Sequence, residues 1–178
     1  MRVLSMVDPL AILQKAQEDA ARPDQWLDQR FEPIKRTTNT GVGVIGQLFI
    51  ERMCQAYGFK VQFPSRPDGA RMNQSPWDIQ IEGRKFELKT ATLDTSNAFQ
   101  FNHIRYHRPY DALMCLGIAP TSAYFEVWSA ADVKTGQAGT LVSMEKGANA
   151  SFKLTKRPAS LCDIEQFDVR LADFLSHS

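Results

Sequence analysis

The chain has 178 residues, 43% of them hydrophobic, which suits one domain with a core of its own. Its 21 basic and 20 acidic side chains leave a net charge of +1, so any surface that grips nucleic acid has to be local. Cys54, Cys115 and Cys162 are widely spaced and have no zinc-ligand pattern, which argues against a disulfide framework and for buried free thiols in a reducing cytoplasm.

Only Arg2 precedes a short apolar run broken by Asp8-Pro9, which is the pattern of neither a signal peptide nor a membrane span. Asp8 as N-cap and Pro9 at the first helical position open a helix through Leu10, Ile12, Leu13 and Ala16 to about Ala21. Arg22-Pro23-Asp24 interrupts, and a short helix is expected over Gln25 to Phe31. The loop Thr37 to Gly41 ends in a cap for a helix from Val42 to Tyr57, with Val44, Ile45, Leu48, Phe49, Met53 and Ala56 as its apolar stripe and Gly58 as its stop. Phe59 to Phe63 alternates as a strand. Pro64 to Pro76, with its prolines, Arg66 and Arg71, is a loop.

From Asp78 to Lys89 polar and apolar residues alternate on both sides of a Gly-containing pair, the signature of a β-hairpin. A turn at Gly83-Arg84 sets Asp78 opposite Lys89; a turn at Glu82-Gly83 sets it opposite Glu87. Either register puts Asp78, Glu87 and Lys89 on one face and Ile79, Ile81, Phe86 and Leu88 on the other. Charged hairpins are common on solvated surfaces, and that is one reading. The other is a hydrolytic site. The carboxylates of Asp78 and Glu87 suit a hard cation such as Mg²⁺, and a lysine beside it can orient the attacking water.

Thr90-Ala91-Thr92 ends the strand, and Asp94 to Asn97 turns. The run Phe99 to Arg108 gathers aromatics, amides, histidines and arginines, and Gln100, Asn102, His103, Arg105 and Arg108 are candidate contacts to base edges and phosphates. The alternative is a polar loop or helix in which Phe99, Phe101 and Ile104 simply pack. His103 and His107, four apart, lack a third ligand for a metal. Tyr110 to Ile118 is nearly all apolar and suits a central strand buried on both faces. Ala123 to Trp128 is the next strand, and Ser129 caps a short helix over Ala130 to Lys134. Thr135 to Ala150 is a mobile loop with a short strand at Leu141 to Met144. Phe152 to Leu154 alternates, and Asp163 to Leu175 closes as a helix on Ile164, Phe167, Leu171 and Phe174.

Asp78 followed by Glu87-Leu88-Lys89 resembles the D…(D/E)xK signature of the PD-(D/E)xK nuclease superfamily. The run from Phe99 to Arg108 is similar to reader segments of some restriction-type nucleases. The resemblance implies an α/β fold, a central mixed β-sheet flanked by helices, as one restriction-endonuclease-like domain over 1–178. Its core spans about Gly41 to Lys134, with additions at both ends. It implies Mg²⁺, with Mn²⁺ able to substitute, held by Asp78, Glu87 and the Leu88 carbonyl. It also implies Lys89 at the attacking water, double-stranded DNA as substrate and a homodimer that cuts both strands. Glu51, on the helix before the sheet, would join the metal cluster unless it pairs with Arg52 or a neighbour on the exposed face. Pro76-Trp77-Asp78 departs from the Pro-Asp of the signature. A junction-resolving or nicking enzyme of the same superfamily, or a DNA-binding relative without turnover, fits the same residues.

Overall fold

The computed structural model describes residues 8–21, 23–72 and 75–177; the expectations about the run before Asp8 and about Arg22 lie outside them. Along these residues the elements are α1 (Pro9–Ala20), a 3₁₀ turn (Glu32–Arg36), α2 (Asn39–Ala56), β1 (Val61–Gln62), β2 (Ile79–Ile81) and β3 (Arg84–Thr92). There follow β4 (Phe99–Ile104), β5 (Ala112–Ile118), β6 (Ala123–Ser129), α3 (Ala130–Thr135), β7 (Leu141–Ser143), β8 (Phe152–Lys156), β9 (Cys162–Asp163) and α4 (Phe167–His177).

The apolar run after Tyr110 forms the spine, as its composition requires: every residue of β5 is buried. It pairs parallel with β3 and antiparallel with β6. The whole sheet is six-stranded and mixed, in the order β1-β2-β3-β5-β6-β9, so it reaches past Lys134 to β9. Alternation along the strands divides it into two faces. One carries Phe86, Thr90, Leu116 and Phe125 beneath α2 and α4, where Phe174 lies 6.1 Å from Phe86 and Phe167 lies 5.1 Å from Phe125. The other carries Glu87, Lys89, Leu113, Cys115 and Trp128.

A second sheet, in the order β4-β8-β7, covers that other face and was not foreseen as a layer. Phe99 of β4 lies against Gly117, where any Cβ would meet its ring, and 6.0 Å from Tyr124. Lys156 of β8 sits 5.0 Å over the Trp128 ring. The run after Phe99 is therefore a strand rather than a polar loop or helix. Phe99, Phe101 and Ile104 are buried while Gln100 and Asn102 point outward, the period of a half-buried strand. His103, with φ 59°, marks the bulge that bends β4 between Phe101 and Ile104.

Several boundaries differ from expectation for identifiable reasons. No helix forms over Gln25 to Phe31. Asp24 caps a turn at Trp26, Asp28 takes φ 59°, and the helical turn begins only at Glu32-Pro33. Trp26, 2% exposed, fixes this segment through its indole N–H to the Leu93 carbonyl. The segment from Phe59 yields only the two residues of β1. The closing helix starts at Phe167, after a separate 3₁₀ turn over Ile164–Gln166. Helix α1 forms on the Asp8 cap as expected, yet none of its residues is buried.

The larger correction concerns α2, which begins at Asn39 because Thr38 caps it through the Gly41 N–H. Its buried face is Val42, Gly46, Ile50 and Cys54, whereas Val44, Ile45 and Leu48 of the expected stripe are 38–51% exposed. Gly46 decides the rotation. A Cβ there would run into Thr90, so glycine lets the helix backbone close on β3. Gly46→Ala is expected to cost about 1–3 kcal/mol by overpacking, read in a urea melt, with Thr90→Ala restoring part of it by removing the Oγ1 and Cγ2 overlaps.

Candidate active site

The hairpin turns at Glu82-Gly83, both in the left-handed region at φ 47° and 85°, the requirement of a type I′ turn. Glu82 is held there because its carboxylate accepts the Lys60 N–H at 2.7 Å. The register pairs Ile79 with Phe86 and Gln80 with Lys85, so one further step places Asp78 opposite Glu87, one of the two expected arrangements. Ile79, Ile81 and Phe86 are buried on the far face as expected, with Leu88 only half-buried. Asp78 is tied to the hairpin twice. Its Oδ2 accepts the Leu88 N–H at 2.7 Å, and its carbonyl accepts from Gln47 of α2 at 3.3 Å.

Glu87 is 2% exposed, a rare state for a carboxylate, and Lys89 Nζ stands 2.6 Å from its Oε1. Burial raises its pKa above the usual carboxylate range; the Lys89 ammonium counters this, and the Asp78 charge adds to it. Arg108 also acts on this carboxyl, while its guanidinium donates to the Ser75 carbonyl at 3.3 Å. Two carboxylates and two cations therefore act on one another at the hairpin, on the face that the second sheet covers. Cys54 and Cys115 are buried and Cys162 half-buried, all three free; burial raises the Cys54 thiol to about 12.

Glu51 is not brought to this pair. It lies 3.9 Å from Arg71 of the following loop and accepts from Gln55 on its own helix, not from Arg52. Among the described residues no group of three or more His, Cys, Asp or Glu side chains converges as a metal cage. The pair itself still suits Mg²⁺, which is commonly held by one or two carboxylates and keeps several waters. The buried Tyr110 hydroxyl has no hydrogen-bond partner among the described residues.

The reader residues divide. Asn102 is exposed on the outer face of β4. Gln100 is committed, donating to Asp94 and accepting from Thr155. His103 Nδ1 lies 3.3 Å from the Oγ of the fully buried Ser151. Arg105 is half-buried within electrostatic reach of Glu145, and Arg108 belongs with Glu87. Sequence reasoning passed over Gln47 and Tyr110. The phenol at the head of an otherwise apolar strand was the available signal for Tyr110; Gln47 had none. An apolar cleft of about 610 Å³, lined by Phe31, Ile45, Phe49, Met53 and Leu116, opens on the α2 face of the sheet, away from Glu87 and Lys89.

No protein-family model matches the chain, and no curated protein matches it.

Proposed function

We propose that the chain is a Mg²⁺-dependent endonuclease of restriction type, with a restriction-endonuclease-like core, that hydrolyses phosphodiester bonds in double-stranded DNA. The observation that supports it is the meeting of Asp78, Glu87 and Lys89 on one hairpin, with Glu87 buried and bound to Lys89 at 2.6 Å. A solvated charged hairpin has no reason to bury its carboxylate, because an exposed pair is worth under about 1 kcal/mol. Asp78 and Glu87, with the Leu88 carbonyl, would hold Mg²⁺, or Mn²⁺ in its place. When bound, the cation supplies Lewis-acid charge to the phosphate and acidity to a bound water. Lys89 counters the burial that raises the Glu87 carboxyl, and its ammonium would offset charge that grows on the phosphate. Arg108, a planar donor beside the same carboxyl, is suited to a phosphate of the strand.

The free thiols support work in a reducing cytoplasm, and among the described residues no helix is long and apolar enough to cross a membrane. Cutting both strands of a two-fold site calls for a homodimer. A second reading, a DNA-binding relative without turnover, is favoured by the absence of a third acidic group at the pair among the described residues. Incubation of supercoiled plasmid with Mg²⁺ or with EDTA separates the two. Cleavage only with Mg²⁺ supports the nuclease, and sequencing the ends defines its site; an intact plasmid under both conditions favours the binding relative.

Asn102→Ala is expected to weaken binding to the cleaved sequence by about 1–3 kcal/mol and to relax one base position, whereas Arg105→Ala weakens all sequences alike. Competition titrations in Ca²⁺, with cognate and scrambled duplexes, read both. Wild-type affinity in the two variants would return β4 to a packing role.

A further inference from the structure

Helix α1 has 12 residues, and every one of them is exposed. A helix of that length is marginal in water by itself and needs a surface to rest on. Among the described residues its side-chain bonds are internal, Gln14 to Glu18 and Lys15 to Asp19. Yet the helix is two-sided, with Pro9, Ile12, Leu13, Ala16 and Ala20 recurring at helical spacing along one stripe. Leu10, Ile12 and Leu13 are 56–75% exposed. The body of the same chain has the converse feature. Its apolar cleft of about 610 Å³ opens beside α2, and Ile45 and Tyr57 on the wall are themselves 38% and 47% exposed. Val44 and Leu48, also exposed, extend the apolar ground on α2. The charged residues at the cleft, Arg30 and Glu165, are of opposite sign. So are Lys15 and Asp19 on the flank of the α1 stripe, and no block of like charge opposes their approach.

The root of α1 is held at the edge of this cleft. Gln25 and Trp26 donate to the Leu93 carbonyl at 3.4 and 3.3 Å, and the Leu93 N–H binds Ile118, which lines the cleft. Phe31, whose N–H donates to the Pro120 carbonyl, lines it too. We propose that α1 of one copy seats its apolar stripe in the cleft of a second copy, which returns its own α1 in exchange. A seat in its own chain's cleft would leave α1 packed, and within one chain none of its residues is buried. With root and cleft side by side, one two-fold contact covers both helices and fills both clefts. The interface lies on the α2 face of the sheet, away from Glu87 and Lys89, so the inference does not rest on the hydrolytic reading.

The test is sedimentation equilibrium of the full chain at micromolar concentration. Wild type is expected to be a dimer. Leu13→Asp and Ile45→Asp should each be monomers, with the dissociation constant raised about 10²-fold or more, because each variant loses an apolar side chain from both contacts. Both substitutions fall on side chains exposed in the single chain, so circular dichroism should show two folded proteins. Mixing the variants reads the exchange itself. The intact α1 of the Ile45→Asp protein meets the intact cleft of the Leu13→Asp protein, and a mixed dimer with one good contact is expected. A monomeric wild type would overturn the inference, as would a Leu13→Asp dimer as tight as the wild type. Two folded variants that stay monomeric when mixed would overturn the exchange. Should Ile45→Asp fail to fold, Leu48→Asp takes its place in the mixture. Cleavage enters none of these readouts, so a failure here leaves the hydrolytic site to its own tests.

Discussion

Lys89→Ala is expected to lower single-turnover cleavage at saturating Mg²⁺ by roughly 10²–10³-fold for the lost electrostatic contact, and further for the disordered water. The effect is large because Lys89 has a dual task. It is the only cation among the described residues in an ion pair with Glu87, and it keeps partial access to solvent, from which a phosphate would approach. Its side chain is 19% exposed and that of Glu87 3%, so the pair escapes most of the screening that makes surface pairs weak. Without the ammonium, the Glu87 carboxyl rises further above the usual range, since Lys89 is the largest influence holding it down. The variant should therefore lose stability at neutral pH and recover part of it in acid, where Glu87 takes up a proton. Thermal melts at both pH values accompany the rate measurement. A near-normal rate would sink the hydrolytic mechanism and return the hairpin to a charged surface.

Glu87→Gln is expected to abolish Mg²⁺-dependent cleavage while leaving the metal-free protein at least as stable at neutral pH. The sign follows from burial. The folded-state pKa of Glu87 is raised, so the ionised side chain opposes folding, and that cost is absent below the ordinary carboxylate pKa. It grows as pH rises from the ordinary value through the raised one. Glutamine, a neutral mimic of the protonated acid, should melt higher than wild type at neutral pH, with the difference closing in acid. A site that opposes the fold in order to keep a charge is typical of catalytic carboxylates and unusual for surface ones. A variant that melts lower at neutral pH and cuts normally would identify Glu87 as a structural partner of Lys89.

Local pattern carried much of this. The Asp8 and Ser129 caps, the all-apolar β5 and the hairpin alternation are each decided within a few residues, and each is present in the structure. The hairpin register was open between two turns, because only the Lys60 N–H, remote in sequence, selects Glu82-Gly83 by binding Glu82. The face of α2 was misjudged for a related reason. Bulk alone favours Val44, Ile45 and Leu48, whereas the contact that orients the helix is made by the smallest side chain, Gly46 against Thr90. The second sheet was hidden because β7 and β8 are short and joined by a glycine-bearing segment, and β8 pairs with β4 about 50 residues upstream, Ile104 opposite Phe152, a separation no local period reports. Burial of Glu87 and the approach of Arg108 and Tyr110 are likewise tertiary facts. Residue type could nominate Glu87; only the layer above it makes the carboxyl a buried one.

The most direct measurement follows single-turnover cleavage of supercoiled plasmid against Mg²⁺ concentration for wild type and Glu87→Gln side by side. Wild-type protein is expected to cut with a rate that saturates in Mg²⁺ and vanishes in EDTA. The folded variant should bind the same DNA and leave it intact at every concentration. Equal cutting by both proteins, or a wild type that binds DNA and never cuts it in Mg²⁺ or Mn²⁺, would contradict a hydrolytic metal site at Asp78, Glu87 and Lys89.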